Sequence, residues 1–254
     1  MQRRELVRSG LIGAAAAAAA GAAGAAQAAE GAQKKRITED WDVVVVGAGF
    51  AGMCAALEAA EQGAKTILLE KMNRPDGATV YSSGWIAAVG SRFQKGHPED
   101  SPKAFFEDMM RLSHHCSDPE LIKVYAEESG AGIDWLADHG TPFYLWENLS
   151  APELSRCLIS PGEGITGGSK LLRCLMDALA KKGVEIRYNT KAVELVKDDC
   201  LNVEGVSCIT PEGRRDFHAR GGVILTTGGY GANEAMVCKY IGPWASRLIV
   251  RGSP

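Results

Sequence analysis

The 254-residue chain carries 28 Lys and Arg against 31 Asp and Glu, a net charge of −3. That balance gives no electrostatic footprint for nucleic acid, and the length suffices for one sizeable α/β core with part of a second domain. Seven cysteines, an odd number with no C-x-x-C pair, do not make a disulfide framework.

Residues 1–29 read as a leader rather than as part of the fold. Arg3-Arg4 precede Leu6-Val7, a run of Ala and Gly follows, and Ala26-Gln27-Ala28 offers a small-x-small cleavage site. The twin arginines and mild hydrophobicity resemble a twin-arginine (Tat) export signal, which implies a periplasmic or other extracytoplasmic protein. No other stretch approaches the ~20 apolar residues that span a bilayer. Residues 30–40 read as a polar, basic linker, and the folded domain is expected over 41–254.

The most informative stretch is Trp41 to Lys71. Asp42 to Val46 is a β-branched run suited to a parallel strand buried on both faces. Gly47-Ala48-Gly49-Phe50-Ala51-Gly52 fits G-x-G-x-x-G, with a helix expected from about Ala51 to Gln62 and stopped by Gly63. The glycines allow a tight turn, close approach of a pyrophosphate and close helix–strand packing; the helix N-terminus supplies amides and a positive dipole end. Thr66 to Leu69 is the next strand. Glu70 ends it, 18 residues past Gly52, where a carboxylate accepts hydrogen bonds from a ribose 2′-OH, and Lys71 follows. The pattern predicts a dinucleotide site in a Rossmann-like α/β fold.

Met72 to Ile86 is rich in Gly, Ser and Thr and reads as an irregular loop able to wrap a cofactor with amides and hydroxyls. A helical insertion is expected over about 98–145, as two or three helices. Ser101-Pro102 starts one, with Phe105, Phe106, Met109 and Met110 apolar; Asp118-Pro119 caps the next, with Leu121, Ile122, Val124 and Tyr125 inward. Ile133-Asp134-Trp135-Leu136 opens the last, ending at Gly140. His114-His115-Cys116 lacks metal-ligand spacing, since adjacent helical residues do not share a face, and no metal site is assigned. Trp135, Phe143, Tyr144 and Trp146 read as core or domain-interface aromatics rather than substrate stackers.

A helix over Leu171–Lys182 follows Gly164 to Gly168. Strands are expected at Val184–Tyr188, Thr190–Val196 and Val203–Thr210, then a hairpin turn at Pro211-Glu212-Gly213 and a returning buried strand from Gly222 to Thr227. His139 and His218 are isolated, and each reads as a surface or packing histidine rather than a general acid.

These segments resemble the FAD-binding domain of the fumarate reductase and succinate dehydrogenase flavoprotein superfamily. The likeness is carried by GAGFAGMCAALEAAEQGAKTILLEK, DGATVYSSGWIAAVG, IDWLADHGTPF, TGGSKLLRCLMDALAKKGVEIRYNTKAVELVKDD and GGVILTTGGYGAN. The resemblance implies a parallel sheet with a helical insertion and a small β-meander, with FAD as cofactor. Gly77, Ala78, Thr79, Ser83 and Gly84 stand where that family holds FAD in its G-G-[NST]-[ST]-x-x-S-G-G segment. Ala192 and Val193 correspond to a backbone contact at the adenine end, and Thr226, Thr227, Gly228 and Gly229 to a turn beside the pyrophosphate and ribose. The activity implied is hydride transfer between flavin N5 and an activated C=C of an enoate or enone. A separate haem or membrane electron donor is implied too, since no C-x-x-C-H motif occurs here. The family's capping domain, catalytic Arg and final FAD segment have no counterpart in the 254 residues, so no catalytic residue is assigned. A non-catalytic FAD-binding fragment, or half of a split flavoprotein, is the alternative; an NAD-dependent dehydrogenase, which Glu70 would also suit, is a third.

Overall fold

The computed structural model describes residues 37–94, 100–146, 156–161 and 166–247; the expected leader and residues 30–36 of the expected linker lie outside them. Strand β1 (Ile37–Val46) runs into helix α1 (Phe50–Glu61) and strand β2 (Thr66–Leu69). After the one-turn α2 (Ala78–Tyr81) come β3 (Trp85–Ala87), α3 (Pro102–Leu112), α4 (Pro119–Asp138), β4 (Tyr144–Leu145) and β5 (Cys157–Ile159). Helix α5 (Gly167–Lys181) leads to β6 (Glu185–Arg187), β7 (Lys191–Lys197), β8 (Val203–Thr210), β9 (Gly213–Leu225) and α6 (Glu234–Tyr240).

Six strands form one sheet in the order β6-β2-β1-β9-β8-β7. The first four are parallel neighbours, and β9, β8 and β7 form an antiparallel meander, as expected of this fold class. Val44, Val45, Ile67 and Leu68 are fully buried, which explains why β1 and β2 read as unbroken apolar runs. Helix α1 lays Met53, Ala56 and Leu57 on this sheet and against Leu172, Leu175 and Leu179 of α5. Each such Leu contributes roughly 1.5–3 kcal/mol by leaving water.

A second, three-stranded antiparallel sheet has the order β3-β5-β4. Ile86, Leu158 and Leu145 are paired across it and pack into the main core. Trp85, Ile159 and Tyr144 are paired in the adjacent row, so the pleat places them on the opposite face.

Several expectations change. Strand β1 begins at Ile37 rather than Asp42, because Ile37 to Trp41 pair with Arg215 to Ala219 of β9 beyond a bulge at Asp42. Residues 37–40 are therefore strand, not linker, and Glu39 bonds Arg187 and Arg215 there. The 72–86 loop contains a helical turn and a strand. Two helices, not three, fill 101–140: α4 runs unbroken through Ile133, and Gly130 in its middle lets the helix backbone sit against Val89 and Gly90.

The buried stripe of α4 is Ala126, Ser129, Gly130, Ile133 and Leu136, the i, i+3, i+4, i+7 pattern; Leu121 and Val124 face solvent. His114 and His115 lie past the end of α3 in left-handed turn conformations (φ 51° and 58°) rather than on a helix. Among the described residues no group of His, Cys, Asp or Glu is placed to hold a metal. Strand β9 starts at Gly213, and its end is not buried: Ile224 and Leu225 are exposed. Among the described residues no helix is long and apolar enough to cross a membrane.

Candidate dinucleotide site

The site is built where β1 ends. Gly47 turns the chain at φ +107°, and a Cβ there would lie 2.6 Å from the Thr226 carbonyl oxygen, so glycine is required twice over. The Gly47 amide donates to Leu69 O of β2 at 2.8 Å. From the other side, the Thr226 hydroxyl reaches Val46 O (2.8 Å) and Gly47 O (2.9 Å), while the Thr226 amide donates to Val46 O. Gly52 lets α1 press on this turn: a Cβ would fall 1.9 Å from Gly47 O. The turn is held from three directions.

Glu70 braces it. The carboxylate is buried, with Oε2 accepting from the Ala48 amide at 2.8 Å and Oε1 from the Met72 amide at 2.9 Å. Sequence reasoning gave this side chain one task, ribose binding. Here it also fastens the glycine turn to the strand that follows, and a carboxylate has lone pairs left for a ribose hydroxyl. Tyr188 stands nearby, its phenol pushed up by burial and by the Glu70 charge.

The Met72–Ile86 segment closes the third side. Asp76 is buried and accepts from the Gly77 amide, and Thr79 Oγ1 accepts from the Phe50 amide at the N-terminus of α1 (3.3 Å). Helix α5 anchors this segment: Gly168 donates to Ser82 O at 3.1 Å, and the Thr166 hydroxyl donates to Val80 O at 2.6 Å. A Cβ on Gly168 would meet Thr79 O at 1.9 Å, so the glycines before the helix have a positioning task that their local reading did not reveal.

Between these walls lies a cleft of about 620 Å³. Gly47, Gly49, Phe50 and Ala51 line it from the turn, Glu70 and Lys71 from β2, and Gly77, Ala78 and Thr79 from the wrapping segment. Ala192, Thr227 and Gly228 line it as well. Other residues read from the sequence fall elsewhere. Ala48 and Gly52 are buried in the packing beneath the cleft. Val193 points to solvent beside Ala192, and Gly229 lies beyond the lining.

Ser83 lines a neighbouring hollow with Tyr81 and Trp85, and Gly84 is buried next to it. Thr226, in the same turn as Thr227, lines the cleft too, and missed residues that line it include Asp76, Thr190, Lys191, Asn233 and Met236. Asn233 was findable, since it caps α6 by accepting from the Met236 amide at 3.1 Å. His139 is engaged: one ring nitrogen is 3.0 Å from Glu61 Oε2 and the other 2.7 Å from Trp135 O. His218 is half-buried on β9 and outside the cleft lining.

An FAD fits these residues. The Gly49 backbone is open, with only Thr79 Oγ1 within 4 Å of where a Cβ would stand; Gly77 and Gly228 have positive φ and clear space beside them. The amides at the start of α1 face a phosphate in the ordinary way of a helix N-terminus.

The family model described as "FAD binding domain" matches residues 42–251. Urocanate reductase of Eggerthella lenta is 38% identical over 211 residues, covering 80% of this chain and 34% of that protein. NADH:fumarate oxidoreductase of Klebsiella pneumoniae is 30% identical over 203 residues, covering 80% of this chain and 22% of its own length. The chain thus spans between about a fifth and a third of these relatives. Among solved structures, the open conformation of a flavocytochrome c3 fumarate reductase superposes with a TM-score of 0.75 at 30% identity, over 89% of this chain and 40% of that one. A 3-ketosteroid-Δ4-(5α)-dehydrogenase from Rhodococcus jostii RHA1 gives 0.73 at 28% identity, over 82% and 50%. With the glycine turn, the braced acid and the wrapping segment all in place, this chain belongs to the FAD-binding domain family, within the fumarate reductase and succinate dehydrogenase flavoprotein superfamily.

Proposed function

We propose that this chain is the FAD-binding part of an oxidoreductase that reduces, or forms, an activated C=C bond in an enoate or enone. The observation that carries the reading is the convergence of the Gly47–Gly52 turn, Glu70 and Asp76–Thr79 on one cleft. Relatives named for fumarate, urocanate and acrylate reduction support it.

FAD, when bound, supplies hydride exchange between its N5 and the carbon β to a carbonyl. The chain's own residues bind and orient. Amides at Gly49 and Ala51 would hold the pyrophosphate, Glu70 would hold the ribose, and the Ala192 and Thr227–Gly228 backbones would flank the nucleotide. Gly77 to Thr79, with Ser83 and Gly84 beyond them, follow the other half of the cofactor. The proton for the α carbon belongs to an acid that we assign to no described residue. Two electrons and two protons convert C=C to CH–CH, and a separate haem or membrane donor returns the electrons; a fumarate reductase (cytochrome) of Shewanella frigidimarina, 33% identical over 199 residues, supports a haem donor. Export through the Arg3-Arg4 leader is part of the same proposal.

The test is chromatography of the nucleotide released from purified protein, followed by oxidation of reduced methyl viologen by an enoate. Stoichiometric FAD and dye oxidation are the expected results; NAD or no nucleotide would defeat the proposal.

A further inference from the structure

Among the described residues, one face of the three-stranded sheet is left uncovered by the core. Trp85, Ile159 and Tyr144 are in register across β3, β5 and β4, so they stand in one row on the side away from the core. Ile159 in the middle is buried by its neighbours, but Trp85 and Tyr144 are 53% and 45% exposed. Trp146, two residues beyond Tyr144, stacks on Trp85 with ring centroids 5.5 Å apart and planes inclined by 28°. Its amide donates to Cys157 O at 2.8 Å, which extends the pairing and fixes where the indole stands. Of the aromatics expected in the core or at a domain interface, Phe143 is core, whereas Tyr144 and Trp146 are exposed and not core.

The face borders a hollow of about 650 Å³ that continues the wrapping segment. Asp76 to Thr79 line the nucleotide cleft; Tyr81, Ser83 and Trp85, a few residues on, line the hollow. Helix α5 clamps both halves of the segment through Thr166 and Gly168, so the two cavities are held by one fixed stretch of backbone. The hollow thus adjoins the cleft through the Thr79–Tyr81 stretch, while Glu70 and Ala192 line the cleft alone. Its lining is neutral among the described residues. Ser160, also in that lining and 1% exposed, has a hydroxyl with no partner among the described residues.

We propose that this aromatic ledge is the wall of the substrate pocket and selects a substrate bearing an aromatic ring beside its activated double bond over a small dicarboxylate. The inference rests on the FAD oxidoreductase reading above. Indole and phenol faces carry negative π density, which attracts ring edges and flat rings but repels carboxylates. A dicarboxylate needs cations close to both ends, and among the described residues this wall presents none. An aryl enoate gains a stacking surface, and its ring displaces water from Trp85 and Trp146. Ser160 has a free hydroxyl for a ring substituent or a carbonyl.

The test uses the full-length, FAD-loaded protein and two probes, cinnamate and fumarate, titrated by perturbation of the flavin absorbance and then compared in reduced-viologen turnover. Cinnamate is expected to bind about two- to tenfold more tightly, the range set by aromatic pair energies. Trp146→Leu should reduce that preference several-fold through KM rather than kcat, and Trp146→Phe should restore most of it. Equal or better use of fumarate by a protein that retains FAD overturns the ledge proposal and leaves the FAD reading standing. Trp85→Leu or Trp146→Leu that loosens FAD while leaving the cinnamate-to-fumarate ratio unchanged assigns the ledge to the flavin, and overturns it as well. Failure to retain FAD at all defeats the underlying reading, and the ledge proposal with it.

Discussion

The β1–α1–β2 unit and the three-stranded sheet differ in what their apolar residues are for. In the first, Val44, Val45, Met53, Leu57, Ile67 and Leu68 are fully buried, and their burial accounts for their presence. In the second, one row of side chains meets the core while the other shows two tryptophans and a tyrosine to solvent beside a hollow. An apolar residue that packing already explains says little about ligands; one that packing leaves out is informative.

The contrast can be tested first at its rigid end. Gly52→Ala places a Cβ 1.9 Å from the Gly47 carbonyl, backbone against backbone with no side chain to give way. The expected cost is about 3 kcal/mol or more with loss of FAD, read by thermal unfolding and flavin content. Gly49→Ala, with only Thr79 Oγ1 at 3.9 Å, should fold normally and weaken FAD alone. Equal losses of stability in the two variants would erase the distinction between packing glycine and cofactor-facing glycine.

Glu70→Gln comes next. One amide oxygen replaces two carboxylate oxygens that now serve the Ala48 and Met72 amides, leaving a buried donor opposite a donor. We expect a loss of about 2 kcal/mol in denaturant unfolding even without FAD. An unchanged apo-protein would restrict Glu70 to ribose binding. Thr226→Val, which removes the hydroxyl shared by Val46 O and Gly47 O, should cost about 1 kcal/mol, and Thr226→Ser should recover most of it.

This site also marks where sequence stops being informative. The order strand, glycine turn, helix, strand and acid is local, so β1, α1, β2 and Glu70 are legible from spacing alone. The family likeness placed Thr226 in a turn near the cofactor, but its bond to Gly47 O, across 179 residues, is not legible from spacing. Nor is the inward face of α4: the apolar side chains at 121, 124 and 125 suggested one face, but Gly130 and Ser129, small enough for close approach to Val89 and Gly90, decide it instead. The family likeness gave FAD as the cofactor, yet whether Tyr144 and Trp146 belong to the core or to an interface could not be told until the strand register placed them.

Two smaller effects lie in the β1–α1–β2 unit but away from the cleft lining. Glu39 is partly buried, which raises its carboxyl, but hydrogen bonds and charge from Arg187 and Arg215 outweigh burial and hold it below its ordinary 4.5. A lowered folded value means its stabilisation is present above the unfolded value and fades as pH falls through the folded one. The stability difference between wild type and Glu39→Gln should therefore be largest near neutral pH and shrink steadily below about pH 4.5. Urea unfolding at several pH values measures it. Burial pushes the Cys54 thiol up to about 12, so the folded protein should resist iodoacetamide at that residue at pH 8 while exposed Cys116 and Cys200 react. Peptide mapping reads this out with no change in stability.

The Thr226 latch has a further consequence for synthesis. A nascent chain can form β1, the turn and α1 early, since these are neighbours in sequence. The strand that fastens the turn, β9, emerges only after most of the domain has been made. Until then the Val46 and Gly47 carbonyls lack the Thr226 hydroxyl, and β1 lacks one of its two partners. The nucleotide pocket is therefore completed only once β9 has been made, and the cofactor is acquired after that point rather than by the β1–α1–β2 unit alone.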